Sequence, residues 1–166
     1  MDSAGVGKGA TATVAFPPAQ PDTPKMLVEQ QRRVEKKRLL LVEDNPDIVE
    51  VLRLFLMGFS DNLLLTTARD GQEALELLTQ TQYHLLVLDL MLPTMSGLDV
   101  MDRLKHLPKN KRTPVLILTG HADAAQKALE QGASDVLMKP FHKSTLLRKL
   151  LALLGLERRA ISRPDA

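Results

Sequence analysis

Cysteine and tryptophan are absent from this chain, and tyrosine occurs once. Without cysteine there is no disulfide framework and no thiolate chemistry. Aromatic residues make up only 3% of the sequence, so few side chains are available to stack on bases. A nucleic-acid accessory role is suggested only by the basic segment 25–38, with no clustered basic face in the remainder to support it. No apolar run approaches the roughly 18 residues of a membrane span. The N-terminus lacks the apolar core of a signal peptide. These absences fit a reducing, cytoplasmic setting and no membrane partner. A strong excess of one charge is missing too, since 22 Lys/Arg face 20 Asp/Glu for a net +2. The distribution is uneven. Residues 1–38 carry seven basic against four acidic side chains, and residues 39–155 carry twelve against fourteen. The basic excess therefore lies at the ends, and the part rich in apolar periodicity is mildly acidic.

The 166 residues suffice for one domain with a real core. Residues 1–25 are rich in Gly, Ala, Thr and Pro without periodicity and are expected to be disordered. Gly5-Val6-Gly7-Lys8-Gly9 hints at a phosphate loop. The motif fails, because its first glycine falls on Asp2, Gly9 replaces the required Ser/Thr and no strand precedes it. Residues 26–37 read as a short basic helix, either a solvated lead-in or a docking segment for an acidic partner. Together, residues 1–37 form the expected N-terminal extension. From Arg38 onward strands and helices alternate. Strands are expected over about 38–42, 62–67, 83–88, 114–118 and 135–138, and helices over about 46–59, 71–80, 97–106, 123–131 and 143–154. In the first helix Ile48, Val51, Leu52, Phe55 and Leu56 share one face. In the second, Ala74, Leu75, Leu77 and Leu78 point inward. Five strand–helix repeats with right-handed crossovers argue an α/β fold, a doubly wound five-stranded parallel sheet covered by helices on both faces. This domain spans 38–155. A short tail, 156–166, is too small to fold alone, so no output domain is expected after it and no direct DNA binding.

Four of the apolar runs end on polar residues. Leu39 to Val42 leads into Glu43-Asp44, Leu85 to Leu88 into Asp89, Val115 to Leu118 into Thr119, and Val136 to Met138 into Lys139. Open α/β sheets keep their chemistry at the carboxyl ends of their strands. Each residue has a plainer reading alone. The acids at 43, 44 or 89 suit helix caps, Thr119 a loop hydroxyl and Lys139 a solvated strand end. Their joint placement on one rim points to a site instead. Crowded carboxylates repel one another unless a cation intervenes. Mg²⁺, which takes oxygen ligands and is commonly shared between carboxylates and phosphate, suits them. Asp89 then has the chemistry of a nucleophile toward phosphorus. Lys139 and the Thr119 hydroxyl have the chemistry to meet phosphoryl oxygens, and Gly120 leaves room for such an oxygen.

These motifs resemble the receiver domain of two-component response regulators. The pieces that carry the resemblance are Leu40-Leu41-Val42-Glu43-Asp44-Asn45, Ala68 to Leu75, Leu88-Asp89-Leu90-Met91-Leu92-Pro93-Thr94-Met95-Ser96-Gly97, Ile117-Leu118-Thr119-Gly120, and Gly132-Ala133-Ser134-Asp135 leading to Lys139-Pro140-Phe141. The resemblance implies a flavodoxin-like fold with strand order 2-1-3-4-5. It implies that Asp89 accepts a phosphoryl group from a sensor histidine kinase or a histidine phosphotransfer protein. Asp44 would bind Mg²⁺ directly, Glu43 through water, and Met91 through its backbone carbonyl. Thr119 and Lys139 would contact the modified Asp89. Family receivers also often dimerise through the helix 4 to helix 5 face, so a homodimer is a further expectation.

Two features depart from the family pattern. The position three residues before the lysine, usually Tyr or Phe, is Val136, which cannot swing inward as that ring does. The stretch from Thr119 to Gly132 looks about two residues shorter than in many relatives. Both put the usual output mechanism in question and leave phosphoacceptance intact. The leading expectation is a single-domain receiver that switches protein–protein contacts and is not an enzyme beyond acting on its own phosphoryl group. One rival is a relay intermediate that passes the group to a histidine phosphotransfer domain. Another is an Mg²⁺-dependent phosphohydrolase, but its usual second acid two residues after the nucleophile is here Met91. His121, two residues after Thr119, reads as an exposed loop residue or, with Met91, as a gate for hydrolytic water.

Overall fold

A computed structural model describes residues 36–57 and 63–156. Alternation of apolar runs with amphipathic stretches produces alternation of strands and helices. The strands are β1 (Lys37–Val42), β2 (Leu63–Ala68), β3 (Leu85–Asp89), β4 (Val115–Thr119) and β5 (Asp135–Met138). The helices are α1 (Pro46–Leu56), α2 (Gly71–Gln80), α3 (Gly97–Leu104), α4 (Ala122–Glu130) and α5 (Lys143–Leu154). All strand pairs are parallel and the sheet order is β2-β1-β3-β4-β5, so the expected doubly wound architecture is the one observed. The expected features over 1–35 and 157–166, including most of the basic helix, lie outside the described residues. Lys37, expected to close that helix, instead opens β1, paired with Leu63.

The two faces of the sheet bury separate cores, because successive strand residues point to opposite sides. Leu40, Val42, Leu86, Leu88 and Ile117 pack with Ala74, Leu78, Val100, Met101 and Ala128, beneath α2, α3 and α4. Leu39, Leu41, Leu85, Val87, Leu116 and Leu118 pack with Leu52, Leu56, Leu146 and Leu150, beneath α1 and α5. The central strands β3 and β4 are buried along their whole length, as a sheet covered on both sides requires.

Several ends differ from the sequence-based boundaries. The apolar pattern ends β3 at Leu88 and β4 at Leu118, yet pairing continues through Asp89↔Leu118 and Thr119↔Met138. Backbone hydrogen bonding ignores side-chain polarity, so both polar residues belong to the strands. Tyr83, Pro114 and His106 fall outside the elements assigned to them, with the chain near His106 in tight turns (His106 N–H to Arg103 O, Leu107 N–H to Leu104 O). α1 ends at Leu56, and the expected continuation through 58–59 lies outside the described residues. Its buried seam is narrower than the spacing suggests. Leu52 and Leu56 are buried, while Val51 is 44% exposed on the flank. Leu77 of α2 is only partly buried against the core.

Candidate functional site

β1 and β3 are neighbours, and their carboxyl ends bring the expected acids together. Glu43 continues β1 by donating its N–H to Ala68 O (3.1 Å), which carries its side chain under the rim, where it is 1% exposed. The cap of α1 falls to Asn45, whose Oδ1 accepts the N–H groups of Asp47 (2.9 Å) and Ile48 (3.4 Å). The capping role therefore goes to neither acid. Glu43 faces inward, its Oε1 accepting the Asn45 N–H (3.3 Å), and Asp44 is left exposed at the rim. Asp89, the last residue of β3, is 5% exposed. One carboxylate oxygen from each of Glu43, Asp44 and Asp89 lies within 4.8 Å of the others. Met91 reaches the cluster through its backbone, its N–H donating to Asp89 Oδ1 (2.9 Å), while its side chain is exposed.

β5 ends one residue before Lys139, whose N–H donates to Thr119 O (2.8 Å), and the Lys139–Pro140 bond is cis. The ammonium crosses above β4 to donate to Glu43 Oε2 (2.7 Å) and Asp89 Oδ2 (2.6 Å). These bonds set the proton affinities. Burial pushes the Glu43 carboxyl up from its ordinary range, the Lys139 hydrogen bond pulls it back, and the charge of Asp89 adds to the rise. For Lys139, burial opposes the charge, but hydrogen bonds to Asp89 and Glu43 outweigh it and hold the ammonium above its usual range. One ammonium against three carboxylates leaves net negative charge on hard oxygen donors, a donor set that fits Mg²⁺.

The structure gathers Glu43, Asp44, Asp89 and Lys139 by direct contact or short separation. Thr119 joins them through its backbone alone, its carbonyl accepting the Lys139 N–H. It is fully buried, and its Oγ1 accepts the His121 N–H (3.1 Å). That oxygen is the acceptor, so this bond does not use the hydroxyl proton. His121 itself is exposed at the N-cap of α4 and makes no side-chain cap bond. Val136 is partly buried and packs against the core beneath α2 to α4.

Sequence reasoning missed three supporting features. Before any modification of Asp89, Lys139 pairs with two carboxylates, a contact that no pattern in the chain announces. Ser96 caps α3 in a reciprocal box with Asp99, a pattern visible as Ser96-Gly97-Leu98-Asp99. At the opposite end of the sheet, the fully buried Asn110 accepts the Tyr83 N–H and the Thr113 hydroxyl and donates to Leu78 O and Thr81 O. No local signal marks that asparagine.

Comparison with known proteins agrees with this geometry. The family described as response regulator receiver domain matches residues 39–151. Response regulator ArlR of Staphylococcus aureus is 34% identical over 119 residues, which cover 70% of this chain and 52% of that protein. The chain thus spans about half the length of the curated relatives it matches. Among solved structures, a putative response regulator from Chloroflexus aurantiacus superposes with a TM-score of 0.67 at 31% identity, covering 73% of this chain and 99% of that one. The receiver domain of sensor histidine kinase PA1611 from Pseudomonas aeruginosa, with a magnesium ion coordinated in its active site cleft, gives 0.65 at 28% identity, covering 72% and 98%. Chemotaxis protein CheY4 of Vibrio cholerae gives 0.65 at 28%, covering 70% and 98%. With the acids, the lysine and the sheet order in place, the chain belongs to the receiver-domain family of two-component response regulators.

Proposed function

We propose that Asp89 accepts a phosphoryl group from a phosphohistidine of a cytoplasmic histidine kinase or histidine phosphotransfer protein, and that the modification switches protein–protein contacts. The observation that carries this reading is the carboxylate of Asp89, buried at a strand end, 2.6 Å from the Lys139 ammonium and within 4.8 Å of two further carboxylates. A carboxylate oxygen of Asp89 attacks phosphorus, the phosphorus–nitrogen bond to the donor imidazole breaks, and the imidazole nitrogen keeps the electron pair. Met91 N–H fixes the Asp89 carboxylate through its other oxygen. Lys139, freed from Glu43, meets the phosphoryl oxygens, and Thr119 donates its hydroxyl proton to another. Glu43, Asp44, Asp89 and the Met91 carbonyl would hold Mg²⁺, which when bound would supply positive charge to offset the charge of the transferred group. The product carries about −2 charge at neutral pH. Output on the side formed by α4, β5 and α5, where Leu129 and Met138 are exposed, would then work without the aromatic switch, since Val136 has no ring. Self-association on that side, driven by phosphorylation, belongs to the same reading.

Val136 supports a second reading, a relay intermediate. An aliphatic side chain packed against the core has no ring to report activation, and a relay needs none. Transfer of the phosphoryl group from the protein to a histidine phosphotransfer domain would distinguish the two.

The direct test is intact mass after incubation with acetyl phosphate and Mg²⁺. The wild-type chain gains one phosphoryl group, and Asp89→Asn or omission of metal abolishes the gain. An equal gain in Asp89→Asn would move the acceptor elsewhere.

A further inference from the structure

We infer that Gly97 is a positioning residue for the phosphoacceptor. The inference rests on the reading of Asp89 just given. Gly97 opens α3, eight positions along the chain from Asp89, and its backbone lies directly beneath the end of β3. A methyl group there would overlap the Asp89 backbone carbonyl oxygen and sit 2.9 Å from Leu90 Cα and 3.0 Å from Leu90 Cδ2, whereas ordinary contact begins at 3.4 Å. The two nearest atoms are backbone, so no side chain can swing aside to make room. The peptide cannot retreat easily either. Gly97 N–H donates to Leu90 O (3.1 Å), and from the sheet side Leu90 N–H donates to Leu118 O (3.3 Å). Leu90 is thus held on both sides, its N–H by β4 and its carbonyl by the first turn of α3.

Leu90 sets the aim of the site. On one side of it is the Asp89 carboxylate, with Lys139 on Oδ2. On the other is Met91, whose N–H holds Oδ1 and whose carbonyl is the proposed fourth metal ligand. The first turn of α3 is itself pinned by the box between Ser96 and Asp99, in which Ser96 Oγ accepts the Asp99 N–H (3.3 Å) and the Asp99 carboxylate accepts the Ser96 N–H (3.3 Å). Relief of the overlap at position 97 requires a movement on the order of 1 Å, and misplacement of that size costs about 100-fold in rate. Gly71, in contrast, is tight against the side chains of Val100 and Met95, a packing matter that does not involve the Asp89–Leu90 peptide.

The test compares full-length wild type, Gly97→Ala and Leu104→Ala. Leu104 is a buried core residue of α3, so its truncation matches the loss of stability without touching the clamp. Folding is checked by circular dichroism, phosphorylation by intact mass over a series of acetyl phosphate concentrations, and Mg²⁺ binding by calorimetry. In Gly97→Ala the maximal rate is expected to fall about 100-fold, with little change in the donor concentration giving half that rate, and Mg²⁺ binding weakens. Leu104→Ala keeps the wild-type rate per folded molecule. A folded Gly97→Ala with wild-type rate and Mg²⁺ affinity, or an equal loss in Leu104→Ala, overturns the proposal. Should Gly97→Ala not fold, the Ser96 pair decides. A several-fold slower Ser96→Ala restored by Ser96→Thr supports the clamp, and an unchanged Ser96→Ala overturns it. Should the wild type bind Mg²⁺ yet take no phosphoryl group, the phosphoacceptor reading fails, while Mg²⁺ affinity still decides the role of Gly97.

Discussion

Lys139 holds two buried carboxylates at once, Glu43 at 2.7 Å and Asp89 at 2.6 Å. Breaking such a pairing from one side leaves charge in a poorly solvated place, which costs more than the pair itself contributes. Lys139→Met is therefore expected to lower unfolding stability at neutral pH, without Mg²⁺, by about 3 kcal/mol. Urea denaturation measures this, and an unchanged midpoint would mean that the carboxylates find water instead. The proton affinity of Glu43, already raised by burial, would rise further in that variant because the Lys139 hydrogen bond that opposes the rise is gone. Each participant was legible as a polar residue closing an apolar run. The pairing among them was not, since Glu43 and Lys139 are 96 positions apart and no pattern in the chain states which strand ends meet.

At the scale of elements, caps and one buried amide add to what the packed apolar faces contribute. Asn45, Asp70 and Ser96 accept backbone N–H groups at the starts of α1, α2 and α3, whereas His121 and His142 at the starts of α4 and α5 make no such bond. A serine at the latter position supplies the missing acceptor. His142→Ser should raise stability by about 1 kcal/mol, read as a higher melting temperature, and a lower one would show that the imidazole contributes something the cap does not replace. Asn110 ties the end of α2, the approach to β3 and the approach to β4 through four hydrogen bonds. Truncation to Ala strands several of those groups, each costing about 1–3 kcal/mol when buried without a partner. Asn110→Ala should thus be among the most damaging single changes away from the site, and a loss below about 1 kcal/mol in chemical denaturation would contradict the account. The α3 cap is written in the spacing of Ser96 and Asp99, whereas residue type alone leaves the α1 cap open among Glu43, Asp44 and Asn45. The role of Asn110 was not legible, because three of its four partners belong to segments 27 to 32 residues away.

For the molecule as a whole, the acid cluster should make stability depend on Mg²⁺. A ligand that binds only the folded state stabilises it by mass action, about 2.7 kcal/mol when present at about 100 times its dissociation constant. Wild type should show that gain in chemical denaturation, and a variant carrying both Asp44→Asn and Asp89→Asn should show little of it. Equal gains in both would place the ion elsewhere. Among the described residues no helix is long and apolar enough to cross a membrane, so the two cores on either side of the sheet bury the apolar helix faces instead. The sequence by itself determined the number, type and order of the elements, because helical and strand periodicities are local and five strand–helix repeats with right-handed crossovers leave few arrangements. It also determined which residues stand at the strand ends. Only the tertiary structure decided that β3 and β4 extend through Asp89 and Thr119, that Asn45 frees Glu43 and Asp44 from capping, and that Gly97 sits under the Asp89 carbonyl. Those outcomes depend on the register of strands distant in sequence and on how closely backbones approach, which side-chain polarity does not encode.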